Sequence, residues 1–390
     1  MVPQDADNST LLTFNPPWTL TGVRTQYVCQ AFDMGTVERQ VVAVEINNAI
    51  NPGSPLVHHM LMHSCGNDIN QLRENFVFDT KPYPCQAGAR LTLGQTVINV
   101  PPGLLSEGTS PVVTCDTLMF GAAQGRATIL YPPDVGIPIG KVTRYLVIEL
   151  HIDNPQNLKD VVINDVVKVY TTTKLRKYNG GTLVVGDPLA LMGKMPQNNG
   201  TTDKLGTCTA ACTENFKTPI TVVSSFLHMH KYGREIYITK KSKETGNTSV
   251  MDYREFYDFG FQITVPMKFV VNKGDELNVH CKYNTRTDTV EFGSGSHNEM
   301  CMDFLLYYPL ESAFKLCGYS PYGTICGGTT NYPIRNIFEP NPVPDPVGMG
   351  IQPFGIYKEI PALAPTQKSG AMGTTVLGIV MTGALFSILL

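Results

Sequence analysis

Residues 57–66 read "VHHMLMHSCG" and hold three of the chain's eight histidines beside one of its ten cysteines. The run is otherwise apolar, so it reads as a β-strand that carries imidazoles. The spacing His59-x-x-x-His63 invites a zinc-protease reading. That motif needs a glutamate directly after its first histidine as general base, and position 60 is Met. The stretch is therefore a strand whose histidines need partners elsewhere in the chain.

The rest of the chain is built the same way, from short apolar runs broken by turn residues. Its 390 residues include 35 Gly and 28 Pro and are 42% apolar. That favours an all-β protein with real cores, and the length suggests two domains. In the first half, strands are expected in "TQYVCQAFDM" (25–34), "VVAVEINNAI" (41–50), "RATILYPP" (126–133), "RYLVIELHID" (144–153) and "VVKVYTTTKL" (166–175), all rich in β-formers. "NGGTLVVGDP" (179–188) marks a change of unit. A second set follows in "PITVVSSFLHMH" (219–230), "EIYITKKS" (235–242), "FQITVPMKFVV" (261–271), "DELNVHCKYN" (275–284) and "MDFLLYYPL" (302–310). Residues 66–110 read as a Gly/Pro-rich excursion and 195–207 as a polar loop.

The expected organisation is an irregular arm (1–19), two tandem β-sandwich domains, jelly-roll-like (20–182 and 183–328), a Pro/Gly-rich stalk (329–371) and a hydrophobic tail (372–390). Net charge is −3, charged residues are 16%, and no Lys/Arg block occurs, so nothing points to nucleic acid. The ten cysteines contain no C-x-x-C pair, which argues against a zinc ribbon and for disulfides in an oxidising compartment. Sequons at Asn8, Asn199 and Asn247 agree with secretion, although the polar start "MVPQDADNST" is not a leader. The tail "SGAMGTTVLGIVMTGALFSILL" suits either a lipid-anchor signal or a transmembrane segment, and both predict membrane attachment in the extracellular space or a vesicle lumen.

Other histidines extend the pattern. "LHMHKYGREI" places His228 and His230 at i and i+2, on one face of a strand. Such a pair is either two-thirds of a metal site or two surface histidines. His58 and His59 are neighbours, which on a regular strand point to opposite faces, so joint ligation needs a backbone kink or different ring nitrogens. His151 ends an apolar strand and reads alone as structural; Met300 reads alone as core. No carboxylate is spaced as an acid/base partner, which disfavours a zinc hydrolase. Histidine-rich sites with little carboxylate suit copper or zinc, and a thioether would tip the choice to copper.

Together, "VHHMLMHSC", "LVIELHIDNP", "LHMHKYGREI", "GDELNVHCKYNTRTDT", "NEMCMDFLLYYP" and the linker "KLRKYNGGTLVVGD" resemble the copper type II ascorbate-dependent monooxygenases over about residues 20–320, in the family's order. That family includes dopamine β-monooxygenase and peptidylglycine α-hydroxylating monooxygenase, and the likeness is nearer the former. The resemblance implies two coppers per chain: the first held by His58, His59 and His151, the second by His228, His230 and Met300. His63, His280 and His297 match no ligand. It also implies the disulfides Cys29–Cys85, Cys65–Cys115, Cys208–Cys317, Cys212–Cys326 and Cys281–Cys301. The implied reaction is hydroxylation of a C–H bond with O2 and ascorbate. The first copper would store an electron, and the second would bind O2 and face the substrate.

Peptide-amidating relatives carry Arg at the position of Phe226, and Asn and Tyr at those of Met302 and Phe304. Phe cannot clamp a carboxylate, so amidation is disfavoured. Phe226, Met302 and Phe304 suit an apolar or aromatic small molecule, an aromatic amine among them. The second reading is a catalytically silent extracellular copper-binding or interaction module on the same fold.

Overall fold

The computed structural model describes residues 3–47, 56–65, 79–84, 117–123, 127–141, 143–163, 166–188, 190, 192–198, 200–293, 297–311, 315–320, 323–327 and 335–337. The first half contributes β1 (Asn8–Thr13), β2 (Trp18–Thr21), β3 (Thr25–Asp33), β4 (Arg39–Asn47), β5 (Val57–Cys65), β6 (Tyr83–Pro84), β7 (Thr117–Ala123), β8 (Ala127–Leu130), β9 (Val135–Ile139), β10 (Tyr145–Asp153), β11 (Lys159–Ile163), β12 (Val166–Thr172) and β13 (Tyr178–Asn179). The second contributes β14 (Gly181–Gly186), β15 (Lys194–Met195), β16 (Thr201–Cys208), β17 (Ile220–Ser225), β18 (Leu227–His228), β19 (Gly233–Lys241), β20 (Thr248–Arg254), β21 (Val265–Val271), β22 (Glu276–Asn284), β23 (Val290–Glu291), β24 (Met302–Tyr308), β25 (Leu316–Ser320), β26 (Gly323–Gly327) and β27 (Arg335–Ile337). One helical turn, Ala210–Thr213, is the only helix among the described residues. The chain is all-β, in two tandem sets of sheets.

In the first set, one sheet runs β1-β12-β4-β9-β13 with β8 on β4, and a second runs β6-β3-β10-β5-β7. Strand β10 is central in the second sheet, antiparallel to both β3 and β5. Its even-numbered residues Leu146, Ile148, Leu150 and Ile152 join Val28, Met60 and Met62 in the core between the sheets. The odd-numbered positions face the other way, and among them is His151. Leu306 of β24 is buried in this same core, so the second set packs directly onto the first.

In the second set, the sheet β21-β17-β24-β14-β25-β26-β27, with β18 on β24, covers the sheet β16-β22-β19-β20. The core between them holds Leu183, Val185, Ile236, Ile238, Leu277, Val279, Tyr283, Leu305 and Tyr307. Disulfides Cys208–Cys317, Cys212–Cys326 and Cys281–Cys301 cross this core. Cys29 and Cys65 are also disulfide-bonded; their expected partners, Cys85 and Cys115, lie outside the described residues. The linker glycines have a steric task. Gly186 takes φ +103°, and a Cβ on Gly206 or Gly318 would come within 2.4 or 2.1 Å of its backbone.

Three expectations change. The arm 1–19 is not irregular: β1 pairs along its whole length with β12, and β2 pairs with β11, because backbone ladders form even where side chains are polar. The polar loop 195–207 contains β16, paired with β22 from end to end. Within the expected stalk, Arg335–Ile337 form β27, paired with β26. The rest of the stalk, the tail 372–390 and most of the 66–110 excursion lie outside the described residues. Among the described residues no helix is long and apolar enough to cross a membrane.

Leu150 is fully buried in the first core, whereas Leu11 on β1 is 60% exposed. Leu150→Ala should destabilise the protein by about 2–5 kcal/mol and Leu11→Ala by no more than about 0.5 kcal/mol. Urea denaturation followed by circular dichroism checks both; equal midpoints for the two variants would contradict this core.

Candidate metal centre

The first histidine set depends on an irregularity in β5. In the β10–β5 pairing, His151 lies opposite His59 but Ile152 lies opposite Val57. His58 is therefore the extra residue of a β-bulge, which re-aims a side chain that a regular strand would send to the far face. As a result His58 Nδ1 lies 2.9 Å from His59 Nδ1, and His151 Nδ1 lies 3.3 Å from the same atom. The three rings offer nitrogens within 4.8 Å of one another, all buried. Tyr27, paired with His151 across β3–β10, stacks on its ring at 4.3 Å.

The second set leaves β18 and is clamped from three sides. His228 pairs with Met302 of β24. Tyr257 accepts the Met229 N–H at 2.9 Å and donates to the Met229 carbonyl at 2.6 Å, fixing the residue between the two histidines. Gln262 Nε2 donates to Phe259 O at 2.9 Å, which turns Gln262 Oε1 towards His228 Nδ1 at 2.6 Å. His228 must then carry its proton on Nδ1, leaving the Nε2 lone pair open. The carbonyl of Asn298, 3.1 Å from His230 Nδ1, sets the same tautomer there. Met300 is reached through its neighbour: the buried Glu299 carboxylate accepts N–H groups from His230 (2.8 Å), Tyr232 (2.6 Å) and Met300 (3.3 Å). The sequence reading finds no carboxylate beside the histidines. Glu299 corrects it, although its oxygens are occupied by backbone donors.

The two sets meet. The ring centroids of His58 and His230 are 5.7 Å apart, and those of His59 and His228 are 5.8 Å apart. Phe259 stacks on His58 at 4.1 Å and meets His230 at 5.7 Å, so one ring from the loop after β20 touches both sets. Burial drives the imidazoles towards the neutral form: His58 to about 2, His151 to about 3 and His228 to about 4, with His59 and His230 also well below the ordinary 6.5. Mutual repulsion adds to this for His58, His59, His151 and His230. Neutral rings present lone pairs, and the buried Nε2 atoms of His58 and His230 have no hydrogen-bond partner. Buried imidazole nitrogens with open lone pairs and no free carboxylate suit copper or zinc, and a thioether beside them would select copper.

Behind the second set lies a polar network that sequence reasoning missed. Ser225 Oγ is 2.9 Å from Asp252 Oδ2 and 2.9 Å from both oxygens of Asp303, and Asp303 also accepts the Phe226 N–H at 3.0 Å. One hydroxyl proton cannot serve two carboxylates, so a proton on Asp303 completes the set. Burial, and then the charge of Asp252, pushes Asp303 up to about 8. An Asp inside the apolar run "MDFLLYY" was the available signal. Phe259, Gln262 and Tyr257 had none, being part of an ordinary-looking loop.

Of the remaining histidines, His63 is buried on β5 and His297 is exposed. His280 stacks on Tyr237 at 4.3 Å, with Nε2 3.2 Å from Thr239 Oγ1. Phe226 and Phe304 stand 5.9 Å apart and flank His228 at 6.0 and 6.1 Å. Met302 shares their strand region and is buried.

Residues 13–159 match the family model of the copper type II ascorbate-dependent monooxygenase N-terminal domain, and residues 178–323 match that of the C-terminal domain. Mouse DBH-like monooxygenase protein 1 is 28% identical over 73% of this chain and 44% of its own length. Tyramine beta-hydroxylase of Caenorhabditis briggsae is 26% identical over 79% of this chain and 49% of its own. Dopamine beta-hydroxylase of the dog is 29% identical over 52% of this chain and 33% of its own. The chain thus spans less than half the length of these relatives.

Two outcomes are expected. Gln262→Leu should weaken copper binding at the second set by about 10- to 100-fold and leave the first set unchanged, as read by chelator competition. Asp303, protonated in the fold and ordinarily titrating near 3.8, contributes stability that is full below 3.8 and is lost as pH rises to about 8. The depressed histidines act oppositely, contributing stability that is lost as pH falls below 6.5. The difference between wild type and Asp303→Asn therefore isolates the acid: the variant should lose less stability between pH 5 and 8. Parallel stability curves would refute a protonated Asp303.

Proposed function

Because the chain belongs to the copper type II ascorbate-dependent monooxygenase family, we propose that it hydroxylates a C–H bond of a small organic molecule, using O2 and ascorbate. The observation that carries this reading is the convergence of five buried imidazoles from both halves, two of them with buried Nε2 atoms that have no hydrogen-bond partner. His58, His59 and His151 would hold one copper, and His228, His230 and Met300 the other. Copper at these sites supplies one-electron redox chemistry and O2 activation.

The protein's own residues do the positioning. Gln262 and the Asn298 carbonyl hold protons on the Nδ1 atoms of His228 and His230. Glu299 ties the His230 backbone to that of Met300, which keeps the thioether residue beside the histidine pair. Phe259 covers His58 and His230 and keeps bulk water from both. Phe226, Met302 and Phe304 are the proposed substrate-pocket residues.

The disulfides and the relatives also support passage through the secretory pathway, to the extracellular space or a vesicle lumen. Asn8 and Asn247 are exposed and available for glycosylation, while Asn199 lies outside the described residues.

The purified protein should contain two coppers per chain and show ascorbate-dependent O2 uptake. Met300→Ala should retain the first copper and lose roughly a hundredfold in turnover, about 3 kcal/mol of barrier. Less than one copper per chain, or full turnover in Met300→Ala, would sink the proposal.

A further inference from the structure

All five imidazoles are closed off. His151 and His230 are fully buried, and His58, His228 and His59 are 2, 4 and 8% exposed. The crevice between the two halves does not reach them. Its outer part holds about 780 Å³, its inner part at Phe226 and Phe304 only about 30 Å³, and no histidine lines either. A copper or a substrate reaches these rings only if something moves.

The segment between β20 and β21 is suited to moving. Residues 258–262 form a turn bonded to itself. The Gly260 N–H donates to Asp258 Oδ1 at 2.8 Å, the Phe261 N–H to the Asp258 carbonyl at 3.0 Å, and Gln262 Nε2 to the Phe259 carbonyl at 2.9 Å. Such a turn swings as a unit without losing those bonds. Firm anchors stand on both sides of it. Before it, the Tyr257 N–H donates to the Arg234 carbonyl at 2.8 Å and the Tyr257 hydroxyl brackets Met229. After it, Val265 pairs with Ser225 of β17.

Two contacts tie the turn to the histidines, one through each of two side chains. Phe259 stacks on His58 at 4.1 Å and meets His230 at 5.7 Å. Gln262 Oε1 accepts from His228 Nδ1 at 2.6 Å. The outer side faces solvent, with Phe261 70% and Ile263 48% exposed. Closing the turn therefore covers one aromatic ring and leaves its neighbour outside, so the closed position rests on the two contacts.

We propose that residues 258–262 are a flap over both histidine sets, with Phe259 and Gln262 as its latches. Closed, the flap covers His58 and His230 and fixes the His228 tautomer; open, it uncovers all three. One turn carries both latches, so releasing either frees the other. Copper and substrate enter past it, and closure then excludes water from the site. That use of the flap rests on the monooxygenase reading; its movement does not.

The test labels the full chain, copper-free, with diethyl pyrocarbonate, which acylates neutral imidazole, and maps each histidine by mass spectrometry. The His58 Nε2 atom is buried without a hydrogen-bond partner and becomes reactive once uncovered. Phe259→Ala should speed His58 labelling by roughly tenfold or more. Gln262→Ala is the sharper variant, because Gln262 bonds His228 whereas Phe259 is what touches His58. A rise of about fivefold or more at His58 in Gln262→Ala follows only if the turn moves as a unit. His280, buried against Tyr237, should keep its wild-type rate and reports general loosening. Unchanged His58 labelling in both variants overturns the flap, as does a rise matched at His280. A rise confined to Phe259→Ala indicates a fixed cover and overturns it too. Where Phe259→Ala fails to fold, Gln262→Ala alone decides. Copper content and ascorbate-driven O2 uptake of loaded samples report separately on the monooxygenase reading.

Discussion

Five imidazoles buried together with no counter-charge set the terms for the rest of the structure. Each ring is a polar group removed from water, and each nitrogen without a partner costs free energy. The fold satisfies the Nδ1 atoms of the second set with Gln262 and the Asn298 carbonyl, while the buried Nε2 atoms of His58 and His230 have no hydrogen-bond partner. A bound metal would accept those lone pairs. The arrangement also requires the two halves to stay docked, because the first set comes from β5 and β10 and the second from the segment around β18. Leu306, a second-half residue buried in the first-half core, shows the docking that holds them together.

Precision at the site comes from irregular backbone resting on regular sheets. Strands β3, β5 and β10 fix each other's register over eight or nine residues, so the position of His151 is over-determined. One bulge then gives β5 a freedom that a regular strand lacks, and His58 joins His59. The second set uses no bulge of this kind at the histidines. Its alternation starts in a two-residue strand and is held beyond it by Tyr257 and Glu299, which bond backbone rather than side chain. The same loop that carries Tyr257 and Gln262 carries Phe259, so one segment positions His228 and caps His58.

Much of this was legible in the sequence, for definite reasons. Strands rich in Val, Ile and Tyr announce themselves by composition, and β3, β4, β5, β10, β12, β19, β22 and β24 lie where such runs occur. The His228/His230 alternation is a local period-two signal. Strands β1 and β16 were missed because polar sequences pair when a neighbour offers a ladder, and that neighbour is distant in the chain. The bulge at His58 was foreseen only as a condition, because a bulge is a property of two strands and one strand's sequence cannot specify it. Glu299 stands beside Met300 in sequence, but its bonds to His230 and Tyr232 close loops of 69 and 67 residues, and nothing local records them.

The acids near the site are held away from its donors, whose neutrality comes from burial and mutual repulsion. Glu299 is pushed up to about 7 by burial and has its oxygens held by three backbone N–H groups, so it is spent on architecture. Asp303 is held protonated against Ser225 and Asp252. Neither is free to enter the coordination sphere, where a hard carboxylate oxygen would favour other metals over copper.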